Sequence, residues 1–262
     1  MKNFENKSNS PSQGFTLIEL AVVAAVMGIL AALLVPSLNK AKSRSQTISC
    51  LSNLQQLQVC FQMYAEDHNG SLPLNNFIEN ANSTSLNAGI SWCPGNARTD
   101  ITTANIESGL LFPYNRSVAI YHCPADGSKV ETERGKKLPQ LRTRSYRMSA
   151  SINCETLQSV IPSFKKISEI TAPSSIFVFL DAQEDDIINS CFALYPDRAG
   201  SPRIWLDLPD DRHYQGGNLS FADGHVERWK WLAPKTIKQK LQRPMSMDDL
   251  EDMQRLQAAM RK

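Results

Sequence analysis

Residues 14–20 read Gly14-Phe15-Thr16-Leu17-Ile18-Glu19-Leu20 and open an apolar run, 15–38, in which Glu19 is the only ionisable side chain of 24 residues. A helix of that length reaches ~36 Å at ~1.5 Å per residue, enough to cross a bilayer. Two features separate the run from a secretory signal. It is longer than the roughly 7–15 apolar residues that such a signal carries. It also keeps a carboxylate at membrane depth, which costs about 2.5–3.5 kcal/mol on insertion scales. Export alone gives no reason to retain Glu19, so that carboxylate calls for a partner.

Helical rhythm continues beyond the run. Ile48, Leu51, Leu54, Leu57, Phe61 and Tyr64 recur every three or four residues, with Lys40, Lys42, Arg44, Gln55, Gln56 and Gln62 on other faces. Asn69-Gly70 followed by Pro73 is a stop signal, so the spacing predicts one helix over 15–68, ~80 Å long at ~1.5 Å per residue.

The stretch Gly14 to Leu20 resembles the processing site of type IV prepilins and type II secretion pseudopilins. The resemblance implies that a prepilin peptidase cuts after Gly14, that Phe15 becomes an N-methylated mature terminus, and that Glu19 of one subunit pairs with the new ammonium of a neighbour. Pro36, position 22 counted from Phe15, falls where many of these proteins carry a helix-kinking proline. Without the resemblance, Pro36 is a proline in a membrane helix, tolerated where neighbours satisfy the freed carbonyl. Lys2 and Lys7 against Glu5 point the amino terminus to the cytoplasm, by the excess of positive charge on that side. The expectation is a single-pass protein of the cytoplasmic (inner) membrane with a periplasmic or extracellular head, able to enter a filament.

The organisation that follows is a leader over 1–14, a membrane or filament-core helix over 15–38, its amphipathic continuation over 39–68, a head over 69–233 and a charged tail over 234–262. The predicted fold class is α+β and pilin-like, a long helix packed on an antiparallel β-sheet. Ser174 to Asp181 is β-branched and aromatic after Pro173 and reads as a buried strand. Asp181, Glu184, Asp185 and Asp186 then read as acids leaving the sheet for solvent, where calcium is conceivable although the spacing matches no EF-hand loop. Asp223-Gly224 between Leu219-Ser-Phe221 and Val226-Glu-Arg228 is a hairpin signal, with a type I′ turn expected. The spacing from His213 to Asp223-Gly224 also resembles a carboxy-terminal signature of large-headed prepilin-type proteins. The residues themselves suggest structural roles: Asp223 stabilising its own turn and His213 tying the hairpin to the preceding loop.

Net charge is +2, so nothing in the overall balance calls for nucleic acid or anionic lipid as a partner. The segment 129–147 is locally basic, with Lys129, Arg134, Lys136, Lys137, Arg142, Arg144 and Arg147 against Glu131 and Glu133, and reads first as a solvated loop. Six cysteines, Cys50, Cys60, Cys93, Cys123, Cys154 and Cys191, fit an oxidising compartment. Cys50 and Cys60 lie ~15 Å apart by helical rise and cannot bond. Cys93-Pro94 and Cys123-Pro124 share a context and make Cys93 with Cys123 the first candidate pair, while the absence of C-x2-C spacing argues against a zinc site. Residues 246–260 read as a short capped helix with Met247, Leu250, Met253, Leu256 and Met260 on one repeat. It either docks on the head or a partner, or stays flexible.

No G-x-S-x-G, H-E-x-x-H, P-loop or G-x-G-x-x-G occurs, which lowers the case for an enzyme. The expected function is a structural subunit of a type II secretion pseudopilus or type IV pilus-like filament, with no cofactor. By resemblance its partners are a prepilin peptidase, an assembly ATPase with its platform protein, and like subunits. The alternative is a tethered binding protein that uses the pilin-type amino terminus for export alone; a tethered hydrolase is the third class, resting on scattered His and acidic residues.

Overall fold

The computed structural model describes residues 16–79, 85–86, 90–185, 187–236 and 241–261. Its contacts divide the chain into two units, Met1–Arg44 and Ser45–Lys262. Helix α1 spans Leu17–Asp67, with Pro36 inside it. In the first unit every described residue up to Lys42 is exposed, including the apolar ones. Among the described residues α1 is the one helix long and apolar enough to cross a membrane.

Among the described residues the second unit contains, besides short 3-10 turns, β1 (Ile78–Glu79), β2 (Ser85–Leu86), α2 (Ala104–Glu107), β3 (Lys129–Glu131), β4 (Lys137–Leu141), β5 (Tyr146–Ser149), β6 (Phe177–Asp181), β7 (Cys191–Phe192), β8 (Gly216–Phe221), β9 (Val226–Lys230) and α3 (Met247–Ala258). The main sheet has the order β7-β5-β6-β8-β9. Its pairings are antiparallel except at the edge, where β7 runs parallel to β5. The sheet is therefore mixed, and a two-residue strand after a long loop is what departs from the antiparallel expectation.

All five residues of β6 are buried, because both faces of this central strand are covered. Val178 and Phe179 pack in one cluster with Leu54, Leu57 and Phe61 of α1. Phe177 and Leu180 pack in a second with Leu219, Phe221, Trp205, Trp231 and, from α3, Met253 and Leu256. Phe61 meets Phe179 edge to face at 6.3 Å. The buried stripe of α1 also includes Thr47, Cys50 and Gln58. The apolar spacing located Leu54, Leu57 and Phe61 but also included Ile48, which is exposed.

α3 docks on the head. Ser246 caps it by accepting from the Asp249 N–H at 3.1 Å, and Met253, Leu256, Ala259 and Met260 are buried. Met247, on the same repeat, is exposed.

The basic segment is not a solvated loop throughout, since Arg142, Arg144 and Arg147 are buried. Arg144 donates to the carbonyls of Cys93, Pro94, Gly95 and Ile188. Arg147 pairs with Asp207 at 2.9 Å, and Arg142 with Glu131 at 3.1 Å. These guanidiniums tie loops to the sheet, because only a multi-donor fork can satisfy several buried carbonyls at once.

Candidate functional site

Two places concentrate the residues singled out by the sequence. At the start of α1, the Glu19 carboxylate accepts from the Thr16 N–H and the Thr16 hydroxyl, both at 2.8 Å, while the Glu19 N–H donates to Thr16 Oγ1 at 3.2 Å. This is a reciprocal capping box, T-x-x-E, which satisfies donors that a helix start otherwise leaves open. Glu19 thus has a partner within its own chain. Gly14 and Phe15 lie outside the described residues. Pro36 supplies no N–H to the carbonyl of Ala32, and nearby Ser37 Oγ donates to Leu34 O at 2.7 Å.

The second place is the interior of the head around His213. Tyr214 and Gln215 take positive φ of 55° and 52°, reversing the chain so that the His213 N–H reaches Gly216 O at 3.2 Å just ahead of β8. The ring is fully buried. Its Nδ1 lies 3.1 Å from Thr47 Oγ1, and its Nε2 lies 3.1 Å from Asp181 Oδ2 and 3.2 Å from Cys123 Sγ. His213 therefore ties the loop before β8 to α1 and to the end of β6, a longer reach than the loop contact expected of it.

Three other elements complete this cluster. Cys50 sits one turn beyond Thr47 on the buried face of α1, its Sγ 3.5 Å from Asp181 Oδ2 and accepting from the Tyr146 hydroxyl at 3.2 Å. Cys123 is fixed through its N–H, which donates to Ser145 Oγ at 3.1 Å. Asp181 ends β6 opposite Tyr146 of β5. The ligand-type atoms of Cys50, Cys123, Asp181 and His213 all lie within 4.8 Å of one another. Arg212 stands behind them, its Nη1 3.2 Å from Asp126 and 3.6 Å from Asp181, its Nε 2.6 Å from Asp210.

Burial works against charge on His213, but the Asp181 carboxylate and the Cys123 sulfur outweigh it and raise the imidazole to about 9. Burial opposes ionisation of Asp126 too, yet Arg212 with the Ser145 and Ser128 contacts holds that carboxyl below its usual range. Both thiols are pushed up by burial. Left to themselves they stay protonated and inert.

Asp181 is thus not an acid released to solvent, which removes it from the calcium loop considered from sequence. Glu184 pairs with Arg212 at 3.2 Å, and Asp186 lies outside the described residues. Cys93 and Cys123 are not bonded to each other and keep different company: Cys93 Sγ accepts from Arg144 at 3.2 Å, whereas Cys123 faces His213 and Cys50. The hairpin turn is not type I′. Gly224 has φ of 103° while Ala222 and Asp223 do not take positive φ, and the bonds Gly224 N–H to Phe221 O and Phe221 N–H to His225 O close a three-residue loop. Asp223 stabilises that turn by accepting from the His225 N–H at 3.2 Å.

Sequence reasoning missed Thr47, Cys50, Asp126, Arg212 and the inward role of Asp181. The Cys50 and Asp181 contact spans 131 residues, which no local spacing announces.

A long apolar helix opened by this capping box, joined to a head with a sheet packed on the helix's later turns, defines a pilin-like architecture. Residues 9–35 match the family described as a prokaryotic N-terminal methylation motif. The chain is 34% identical over 68 residues to type II secretion system core protein G of Pectobacterium carotovorum subsp. carotovorum, 26% of this chain and 44% of that protein. It is 42% identical over 52 residues to the type IV major pilin protein PilA of Myxococcus xanthus, 20% of this chain and 24% of that one. It is 31% identical over 97 residues to the type IV wide pilus major component PilA4 of Thermus thermophilus, 37% of this chain and 69% of that protein. The chain belongs to the family of type IV pilins and type II secretion pseudopilins, structural subunits and not enzymes. The first two matches span less than half of the relatives' own length. No solved structure matches the chain.

Proposed function

We propose that this chain is a filament subunit: a prepilin peptidase cuts it after Gly14, Phe15 is N-methylated, residues 15–38 hold it in the inner membrane, and an assembly ATPase with its platform protein stacks it with like subunits. The filament is a type II secretion pseudopilus or a type IV pilus-like fibre. The observation that carries this reading is the start of α1, where Thr16 and Glu19 cap a helix whose apolar residues are exposed without interruption from Leu17 to Leu38. Bilayer lipid covers such a surface in the single subunit, and neighbouring helices cover it in a fibre.

Mass spectrometry of the native amino terminus tests it, on washed membranes and on material sheared from the cell surface or held in isolated secretion complexes. Methylated Phe15 in the assembled fraction supports processing and polymerisation together. Processed chain found only as dispersed membrane monomer favours a tethered binding protein, and an intact Met1 or a cut beyond Leu38 overturns the reading.

A further inference from the structure

We propose that Cys50, Cys123, Asp181 and His213 are the four ligands of a structural zinc ion that fastens the later part of α1 to the sheet of the head. The donor set is two thiolates, one imidazole nitrogen and one carboxylate oxygen, which suits zinc, with its preference for sulfur and nitrogen in a tetrahedral shell. Tetrahedral bonds of ~2.0 Å to nitrogen or oxygen and ~2.3 Å to sulfur place ligand atoms roughly 3.3–3.7 Å apart. In the cluster His213 Nε2 lies 3.1 Å from Asp181 Oδ2 and 3.2 Å from Cys123 Sγ, and Cys50 Sγ lies 3.5 Å from Asp181 Oδ2. Shifts of a few tenths of an ångström bring these three separations into that range, and all four ligand atoms lie within 4.8 Å of one another.

The surroundings have the form of a supporting shell around a metal. Thr47 Oγ1, 3.1 Å from His213 Nδ1, accepts the proton of that nitrogen and leaves Nε2 free to ligate. The Tyr146 hydroxyl donates to the Cys50 sulfur, as it would to a thiolate. Asp181 Oδ1 is buried with no hydrogen-bond partner, its nearest cation being Arg212 Nη1 at 3.6 Å. Zinc with two thiolates and a carboxylate carries a net charge of −1, which the Arg212 guanidinium opposes. A disulfide between Cys50 and Cys123 would give no reason for an imidazole and a carboxylate to converge on the same point. All four ligands come from the protein and all are fully buried, so no coordination position is open to substrate and the site is structural.

Binding displaces the protons of both thiols and the second ring proton of His213 to solvent, with no oxidation or reduction. The ion would then join α1, the loop before β3, the end of β6 and the loop before β8, four segments distant in sequence. This assignment stands apart from the filament reading, since it concerns the folded head alone.

The test uses the full-length chain purified in detergent without chelator. Zinc is measured by elemental mass spectrometry, thiols are counted after denaturation without reductant, and the reduced metal-free protein is titrated with cobalt(II). The wild type and Cys60→Ser are expected to hold about one zinc per chain, and the cobalt form to show the visible bands of a tetrahedral thiolate site. Cys123→Ser and His213→Gln are expected to lose the metal, and Thr47→Val to weaken zinc affinity about 10–100-fold while remaining folded. The wild-type cobalt spectrum needs no variant to survive. A wild type that holds no zinc and takes up neither metal, or a peptide map with Cys50 bonded to Cys123, overturns the proposal.

Discussion

Glu19 already has two hydrogen bonds to Thr16 within its own chain, so in the proposed filament its side chain would serve both the start of α1 and the contact between subunits. The two roles separate by substitution. Glutamine keeps an oxygen that accepts from the Thr16 N–H but carries no charge, whereas valine removes cap and charge together. A lost cap costs ~1 kcal/mol of helix stability, too little to prevent a long apolar helix from forming in lipid. Glu19→Gln and Glu19→Val are both expected to be cut after Gly14 and both to be missing from sheared filaments, measured as the share of methylated chain in the assembled fraction. Normal incorporation of the glutamine variant would show that the cap, and not an ion pair with the neighbouring terminus, is what assembly needs. Glu19 stands out in the sequence because a lone carboxylate in an apolar run has few explanations. Its bond to Thr16 follows from the T-x-x-E spacing, a local pattern that stands beside the partner in another chain which a carboxylate at membrane depth calls for.

At the scale of elements, burial was read well where it follows hydrophobic pattern and poorly where polar groups are buried in pairs. The sequence shows β6 as a strand, yet its last residue, Asp181, reads as solvent-facing because an acid after an apolar run usually is, whereas the fold buries it. The same error concealed Lys235, which is fully buried, its Nζ 2.9 Å from Asp249 and 2.6 Å from Asp252 of α3 and lying over the rings of Trp205 and Trp231. Lys235→Met leaves two buried carboxylates without their cation, and is expected to destabilise the head by about 3–5 kcal/mol in denaturant unfolding. A loss below ~1 kcal/mol would mean that the backbone donors to Asp249 and Asp252 suffice to hold them. Cysteine pairing is likewise a matter of elements. Cys154 and Cys191 are separated by 37 residues, and their sulfurs lie 3.7 Å apart beside β7. In an oxidising compartment this pair is expected to close in place of Cys93 with Cys123, adding about 4 kcal/mol in the chain-entropy description. Peptide mapping without reductant would identify the bond, and reduction would lower the melting temperature.

For the whole molecule, the sequence announced its ends more clearly than its interior. The anchor, the stop at Asn69-Gly70 and the Asp223-Gly224 hairpin are local patterns, and local patterns survive in one dimension. The cluster around His213 depends on α1, a loop, β6 and the approach to β8 meeting at one point, and nothing in their spacing records that meeting. The place of α3 is open in the sequence for the same reason, since a short amphipathic helix docks or frays according to a surface that only the folded sheet provides. In the structure that surface is the face of the sheet opposite α1. Met253, Leu256 and Met260 cover it, the Phe177 N–H at the start of β6 donates to Ala259 O at 3.0 Å, and Asp252 accepts from the N–H groups of Leu232 and Ala233. Three large apolar side chains at about 1.5–3 kcal/mol each amount to roughly 5–9 kcal/mol, comparable to the ~5–15 kcal/mol that separates a folded domain from its unfolded chain. A chain ending at Leu241 is therefore expected to lose its head fold, seen as rapid proteolysis at 45–241 and loss of near-ultraviolet circular dichroism, although residues 1–44 are untouched. A truncated chain that resists protease and melts within a few degrees of the full-length protein would place α3 outside the folding unit, and would return it to the role of a tail awaiting a partner.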